Sequence, residues 1–281
     1  MIRTTIKNER LLAHKTECLV LFCIEEKKPS GKLIELDAKL NGVLSSSFKN
    51  KRFEGKLNQT LIINVTKPMR ADHLLLVGLG KGTEVTADKL RQASGTAAKL
   101  AEKSKFKHIS FFIPADNSAK DTYAGLDQSG DDFPQMVIEG SLLSLYNFDE
   151  YKQPAKEKPS RINRITLLAQ AKSKVSFMRS SVARGRKLVT AVATSRDLIS
   201  QPSNTATPTY LAKKAKELAK SFGMTCKVLS TRDMEKLGMG ALLGVSKGSK
   251  EPPAFIILEH CGGVKNDPPV VIVGKGITFD T

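Results

Sequence analysis

Apolar, strand-like runs that alternate with helical stretches constrain the fold of this 281-residue chain more than any other feature. The runs lie at Glu17–Ile24, Thr60–Val65, His73–Gly78, His108–Ile113 and Ile165–Leu168. Among them, apolar residues recur at helical intervals over Val85–Lys103 and Asp132–Tyr146. Strands that alternate with helices typically become parallel neighbours, with the helices covering the sheet. The pattern therefore predicts an α/β fold with a mostly parallel sheet.

The residues after about position 170 predict a second unit that opens on a long helix. Residues 152–164, rich in lysine, arginine and proline, predict a surface loop that leads into the strand at Ile165–Leu168. The domain boundary is predicted after that strand, between residues 172 and 173. Two helices and three short strands are predicted beyond it, over Val175–Ile199, Thr209–Phe222, Cys226–Leu229, Phe255–Glu259 and Val270–Val273. Thr207-Pro208 before the second helix and Gly223 after it are typical of a capped start and a left-handed end.

The composition is that of an ordinary globular protein, with 40% hydrophobic and 26% charged residues. No apolar stretch approaches the roughly 18–20 residues that a membrane span needs, so no membrane partner is expected. The amino terminus lacks the apolar core of a secretory signal. The cysteines form no CxxC pair and are interpreted as free thiols in a reducing compartment: Cys18, Cys23, Cys226 and Cys261. A cytoplasmic location is predicted.

The net charge of +17 raises the question of a polyanionic partner. The excess of lysine and arginine is shared between both halves of the chain, and few aromatic residues are interleaved with the basic clusters. Solvated surface is therefore the favoured interpretation, and a DNA-binding surface on the amino-terminal domain is the alternative. The sequence assigns no DNA-binding residues.

The carboxyl-terminal segment carries the most specific chemical signal. The unbroken run Val270–Val273 predicts a strand covered on both faces, and Gly-Lys-Gly and Phe-Asp-Thr follow it directly. Polar groups just past the carboxyl end of such a strand are where open α/β sheets build their sites. Lys275 and Asp280 are thus placed to converge on a ligand or metal, and the chain is expected to end inside its own active site.

No other catalytic centre is predicted from the residues. The four histidines show neither HExxH nor another metal-binding spacing, and they are interpreted as ordinary core or surface residues. A GxSxG motif is absent, and no cysteine lies near a plausible base.

The carboxyl-terminal segment and four stretches before it resemble the leucyl aminopeptidase (cytosol aminopeptidase) family. Residues 273–281 are similar to the family signature VGKG-(I/V)-TFD-(S/T)-GG. Residues 196–212 resemble its RDL…TPxxLA segment, with Ser200 where the family usually has asparagine. Residues 237–253 are similar to its GMGALLAV…GS…PP stretch, and residues 76–80 and 139–152 to its amino-terminal domain.

The resemblance implies a fold and a pair of metal ligands. It implies a macro-like amino-terminal α/β domain over residues 1–172, followed over 173–281 by the first part of an α/β zinc-peptidase-like catalytic domain. Asp280 resembles the carboxylate that bridges both metals, and Lys275 resembles an amine ligand. The family's remaining metal ligands and its catalytic residues have no counterpart in this sequence, so no catalytic residue is assigned within the chain.

The activity that the resemblance implies is metallo-aminopeptidase activity. Members release amino-terminal residues from peptides with two divalent cations, manganese or zinc, and assemble as homo-hexamers. Two ligands cannot hold two cations, so this chain alone is expected to retain neither the cations nor the activity. The alternative is a non-catalytic remnant, or a DNA-binding module that acts through the basic amino-terminal domain.

Overall fold

The computed structural model describes residues 2–114, 133–153, 161–169, 171–264 and 267–278. The chain divides into two compact units, Met1–Ala193 and Thr194–Thr281, here called the amino-terminal and carboxyl-terminal units. The predicted boundary at residue 172 precedes the long helix, whereas the compact units divide within that helix. The reason is that Met178 and Val182, near the helix start, are buried in the core of the amino-terminal unit. The domain limits 1–172 and 173–281 stay a prediction.

A six-stranded sheet forms the centre of the amino-terminal unit. Its strands are, in chain order, β1 (Arg3–Asn8), β2 (Thr16–Cys23), β3 (Thr60–Asn64), β4 (Ala71–Gly78), β5 (His108–Ile113) and β6 (Arg164–Ala169). They lie in the order β1-β6-β5-β2-β4-β3, and every neighbouring pair is parallel except β3 with β4. The prediction of a mostly parallel α/β sheet is confirmed.

Helices and apolar clusters cover both faces of this sheet. The helices of this unit are α1 (Lys32–Lys39), α2 (Val43–Lys49), α3 (Ala87–Lys103), α4 (Phe133–Ser144) and the first part of α5 (Val175–Ile199). Alternate residues of β4 show the two-sided burial, because Leu75 and Val77 join the cluster under α3 and α4 while Leu74 and Leu76 join the cluster under α1 and α2. Such two-sided cover explains why the strand sequences are continuous apolar runs.

Helices α3 and α4 pack at very close range. A Cβ atom on Gly140 would lie well inside van der Waals contact with the backbone carbonyl of Arg91, so only glycine fits at this position. The same contact brings Arg91 Nε to 2.6 Å from Oε2 of Glu139, whose side chain is buried. A buried carboxylate is tolerated where it is paired in this way.

The carboxyl-terminal unit contains a two-stranded antiparallel pair and short helices among its described residues. Its elements are α6 (Pro208–Phe222), β7 (Thr225–Leu229), α7 (Thr231–Lys236), α8 (Gly240–Ser246) and β8 (Phe255–Glu259). Helix α6 has the predicted ends: the Thr207 hydroxyl accepts from the Tyr210 backbone N–H, and Gly223 is left-handed with φ 65°. Among the described residues, no helix is long and apolar enough to cross a membrane.

The strand predicted at Val270–Val273 is wrong in this structure. These residues have no regular secondary structure, and their exposed fractions are 92, 74, 93 and 86%. An unbroken apolar run becomes a strand only with partners at its sides and cover on both faces. Within the described part of the carboxyl-terminal unit the only sheet is the β7–β8 pair, so this cover is missing.

Candidate functional site

The two predicted metal ligands are not brought together by the described part of the structure. Lys275 lies in the irregular segment that continues from Val273, and its side chain is exposed. A Cβ added to Gly274 or Gly276 would meet nothing within 4 Å, so the backbone around Lys275 is open. Asp280 lies outside the described residues. The assignment of both residues as ligands therefore stays a prediction.

The described residues do not fit a two-metal centre. Such a centre needs several carboxylate, imidazole or amine donors that converge on two cations about 3.5–4 Å apart. Within residues 2–114, 133–153, 161–169, 171–264 and 267–278, no group of three or more His, Cys, Asp or Glu side chains is close enough to hold a metal ion. Two carboxylates of the carboxyl-terminal unit have structural partners instead: Asp233 caps α7 and Glu259 accepts from Thr225.

The structure does bring together polar residues that the sequence did not connect. His14 and His108, which are far apart in the chain, have ring centroids 6.4 Å apart in the amino-terminal unit. His14 Nδ1 lies 2.7 Å from Glu9 Oε2, and His14 Nε2 lies 2.9 Å from Ser110 Oγ. His108 Nε2 lies 2.9 Å from the Thr166 hydroxyl. Only the strand order places these residues side by side, so no sequence spacing could have revealed them.

The order Glu9, His14, Ser110 is that of an acid, a base and a nucleophile, but burial excludes nucleophilic catalysis here. His14 and Ser110 are fully buried. Ser110 Oγ also contacts the Thr16 hydroxyl at 2.9 Å, so its coordination is filled from within the protein. A nucleophile must reach a substrate carbonyl, which this hydroxyl cannot. The arrangement is a polar cluster inside the fold.

The pKa values of Glu9 and His108 in this cluster are both lowered, for different reasons. The hydrogen bond between Glu9 and His14, assisted by Lys7, holds the pKa of the Glu9 carboxyl below its usual range. Burial, with Arg164 and His14 nearby, lowers the pKa of His108 to about 4. His108 is therefore neutral at physiological pH, while Glu9 is ionised.

A row of basic residues lines the amino ends of the parallel strands. Arg3 and Arg164 begin β1 and β6, and Lys15, Arg70 and Lys107 directly precede β2, β4 and β5. All five side chains are exposed. Because these strands are neighbours about 4.8 Å apart, the five residues form one line, here called the basic edge. In the sequence the excess of lysine and arginine is dispersed, and the strand order brings five of these residues into one line.

Two family models match this chain in sequence order. The model of the N-terminal domain of the cytosol aminopeptidase family matches residues 20–155, and the model of the catalytic domain of the same family matches residues 193–281. The second match includes Lys275 and Asp280.

Curated relatives with similar sequences carry the same family name. A "probable cytosol aminopeptidase" of Geotalea uraniireducens is 38% identical over 271 residues, which are 96% of this chain and 52% of the relative. One from a Geobacter species is 36% identical over 281 residues, which are 100% of this chain and 54% of the relative. The chain thus spans about half the length of the curated relatives it matches.

Solved structures show a similar fold. A mutant of tomato leucine aminopeptidase has a TM-score of 0.74 at 21% identity, covering 92% of this chain and 50% of its own. The bottromycin maturation enzyme BotP in complex with Mn has a TM-score of 0.64 at 23% identity, covering 86% of this chain and 45% of its own. The fold, the two family models in chain order and the curated relatives agree, and the chain belongs to the cytosol aminopeptidase family.

Proposed function

We propose that this chain supplies the amino-terminal domain and the first part of the catalytic domain of a metallo-aminopeptidase. The reaction is the release of amino-terminal residues from peptides. The observation that carries the proposal is the match of residues 193–281 to the family's catalytic domain, since this match includes the predicted ligands Lys275 and Asp280. The residues described in the structure hold no two-metal centre, so the proposed activity requires further donors.

The proposed cofactors are two divalent cations, manganese or zinc. When bound, such cations polarise the scissile carbonyl and supply hydroxide at neutral pH. The family match supports this proposal, and BotP, a structural neighbour, was solved in complex with Mn. Lys275 and Asp280 are proposed as two of the ligands. The 281 residues alone are proposed to be inactive and to retain no cation.

The proposed partners and location follow the family. Peptides are the proposed substrates, a homo-hexamer is the proposed assembly, and the cytoplasm is the proposed location. Support for the location comes from the relatives' shared name, cytosol aminopeptidase.

A chimera tests the proposed activity. We would fuse this chain to the carboxyl-terminal half of the Geotalea uraniireducens relative and measure leucine release from a leucine anilide with Mn²⁺ or Zn²⁺. We expect activity in the chimera that a chelator abolishes, and none in the 281-residue chain. Asp280→Ala should lower the activity by more than the roughly 10–100-fold that loss of an outer-shell partner costs.

The matched control is Asp267→Ala, which removes an exposed carboxylate from the same region and should leave activity unchanged. Full activity of the Asp280→Ala chimera would exclude Asp280 as a ligand. Metal-dependent activity of the 281-residue chain itself would contradict the proposal that its site is incomplete.

The basic edge supports one alternative, DNA binding by the amino-terminal unit. Its five aligned cations are suited to contact phosphates, and such binding weakens steeply with salt because counterions are released. Fluorescence anisotropy with a labelled duplex at rising salt would measure it. The double variant Lys107→Gln/Arg164→Gln should weaken binding, whereas Lys39→Gln/Lys49→Gln, with the same charge loss on α1 and α2, should weaken it less. Absence of binding at low salt would remove this alternative.

A further inference from the structure

Two apolar segments of the carboxyl-terminal unit lack the cover that their sequences predict. Strand β8 begins with four consecutive large apolar residues, from Phe255 to Leu258, and residues 270–273 form a second unbroken run. Unbroken apolar runs are typical of strands that lie inside a sheet with both faces covered. Leu258 is 41% exposed, and all of residues 270–273 are exposed. Both segments therefore have the sequence of a buried strand but are partly or fully open to solvent.

Strand β8 has a free edge among the described residues. It pairs with β7 in antiparallel orientation, from Phe255 against Leu229 to Glu259 against Thr225. The described part of the chain places no strand on its other side. In an antiparallel pair, alternate residues turn their N–H and C=O groups towards the partner, and the residues between them turn these groups away. The groups of β8 that point away from β7 are a template for one more strand.

Strand β7 differs from β8 and has the character of an outer strand. Its residues alternate, with Thr225 and Lys227 exposed and Leu229 buried. Lysine on an edge strand is a common means of preventing further pairing. The two-stranded pair is therefore protected against further pairing on its β7 side and open to it on its β8 side.

Exposed large apolar side chains are concentrated in the carboxyl-terminal unit. Among the described residues, eleven of them lie in this unit and six in the amino-terminal unit, which is more than twice as long. Four of the eleven are consecutive, at residues 270–273. Contiguous exposed apolar surface usually marks a binding site for another polypeptide.

We propose that the free edge of β8 and residues 270–273 bind the half of a cytosol aminopeptidase that has no counterpart in this chain. That polypeptide is here called the complementary fragment. One of its strands pairs with the free edge of β8, and its apolar side chains cover residues 270–273. This inference rests on the proposed function and adds to it the partner and the surface that receives the partner.

The lengths of the relatives identify this partner. The Geotalea uraniireducens relative matches this chain over 52% of its length, and the Geobacter relative over 54%. Nearly half of each relative is therefore available to cover other parts of the fold. The model of the family's catalytic domain matches residues 193–281, and this stretch contains both uncovered segments. The cover is missing from the domain for which the relatives supply further polypeptide.

A second copy of this chain is the competing occupant, and charge and chemistry disfavour it. The chain carries a net charge of +17, so two copies repel each other at neutral pH. The complementary fragment is also the proposed source of the further metal donors. A second copy would supply only the donors of this chain, and its described residues contain no metal-binding group of three.

Co-expression of two separate polypeptides tests the proposal. The 281-residue chain carries an affinity tag, and the complementary fragment of the Geotalea uraniireducens relative carries none. All purification steps contain a chelator. We expect the resin to retain the fragment together with the chain in an equimolar ratio, and not to retain the fragment alone. No retention with the unaltered chain would overturn the proposal.

Two matched variants locate the surface. Ile272→Asp places a charge among residues 270–273 and should lower the amount of retained fragment by about tenfold or more, the size of a hot-spot effect. Ile34→Asp makes the same change at an exposed position of α1 and should leave retention unchanged. Both side chains are exposed, so both variants should fold like the unaltered chain, which circular dichroism checks. Equal retention by the two variants would overturn the proposed surface.

Amide hydrogen exchange tests the free edge of β8. In the chain alone, the amides of residues 255–259 that point away from β7 should exchange at least about tenfold faster than those bonded to β7. In the complex, both sets and the amides of residues 270–273 should be protected, whereas those of α3 should not change. Unchanged exchange of both segments in the complex would overturn the proposal. Protection of both segments in a dimer of the chain alone would also overturn it, because a second copy would then be the occupant.

The outcomes separate this proposal from the proposed activity, because none of these readouts requires a metal. If the complex forms with the expected protection but Mn²⁺ or Zn²⁺ brings no leucine release, the docking surface stands and the proposed activity fails. If the chimera is active but the separate fragment is not retained, the proposed activity stands and the docking surface fails.

Discussion

The amino-terminal and carboxyl-terminal units differ in how much of their apolar sequence they bury. In the amino-terminal unit both faces of the sheet are covered, and all but one residue in each of β2, β5 and β6 are buried. In the described part of the carboxyl-terminal unit the buried apolar residues are few and mostly small: Ala212, Ala215, Ala219, Leu229 and Met234. The segment with the most specific family motif, around Lys275, lies in the less packed unit. A family motif can therefore be present in a sequence although the described structure lacks the strands and helices that would pack around it.

Truncating one apolar side chain in each unit tests this comparison with the largest expected effect. Leu76 is fully buried in β4, and Leu76→Ala should lower the free energy of unfolding by about 2–5 kcal/mol through lost burial and a cavity. Ile272 is 93% exposed, and Ile272→Ala should change the free energy of unfolding by less than about 0.5 kcal/mol. Urea unfolding of both variants measures the difference. A cost for Ile272→Ala similar to that for Leu76→Ala would mean that residues 270–273 are packed in solution.

The same glycine-to-alanine change should have opposite signs in the two units. Gly140→Ala forces α3 and α4 apart at the Arg91 carbonyl and should destabilise the amino-terminal unit by about 1–3 kcal/mol. Gly244 lies within α8 with nothing within 4 Å of an added Cβ, so Gly244→Ala should stabilise that helix by about 0.5–1 kcal/mol. Amide hydrogen exchange, read separately for each unit, measures both changes. Destabilisation of α8 by Gly244→Ala would reveal a close neighbour of that helix.

A further expected effect is a pH dependence that arises from the amino-terminal unit. The pKa of His108 is lowered from 6.5 to about 4, so the unfolded chain binds a proton in this range that the folded chain does not. The stabilising contribution is complete above pH 6.5 and is lost as the pH falls towards 4. Unfolding at pH 5 should take up as much as about one proton at this position.

Two variants assign that proton uptake to one unit. His108→Gln should remove this part of the slope of unfolding free energy against pH. His260→Gln changes an exposed histidine of the carboxyl-terminal unit and should leave the slope as it is. An unchanged slope in His108→Gln would show that this imidazole is accessible to protons in the folded state.

The elements predicted well are those whose sequence pattern is reinforced by burial or by caps. His108–Ile113 and Val175–Ile199 were predicted with the bounds that the structure shows. Strand β1 is not predicted from the sequence, because Arg3–Asn8 contains one large apolar residue. A strand at the edge of the sheet can form with only one such residue. The short helices α1 and α2 were missed because seven or eight residues give too little periodicity.

For the sites, sequence and structure contribute different things. Lys275 and Asp280 are predicted from a motif and its resemblance to a family; Lys275 is exposed, and Asp280 lies outside the described residues. The contact between His14 and Ser110 joins residues 96 positions apart, so no motif could contain both. The basic edge likewise depends on which strands are neighbours in the sheet. The positions of the charges along the sequence do not show this.

The position of β1 at the sheet edge has a consequence for how the chain is made. Thr5 of β1 contacts Thr166 of β6, its neighbouring strand among the described residues, across 161 residues of sequence. At about 5–20 residues per second, the ribosome needs roughly 8–32 s to synthesise that stretch. During this time β6, the strand that pairs with β1 in the described part of the structure, has not yet been made. The sequence of β1 is mostly charged and hydroxyl-bearing. While β1 is unpaired, such a polar strand is less prone to aggregate with other nascent chains than an apolar one.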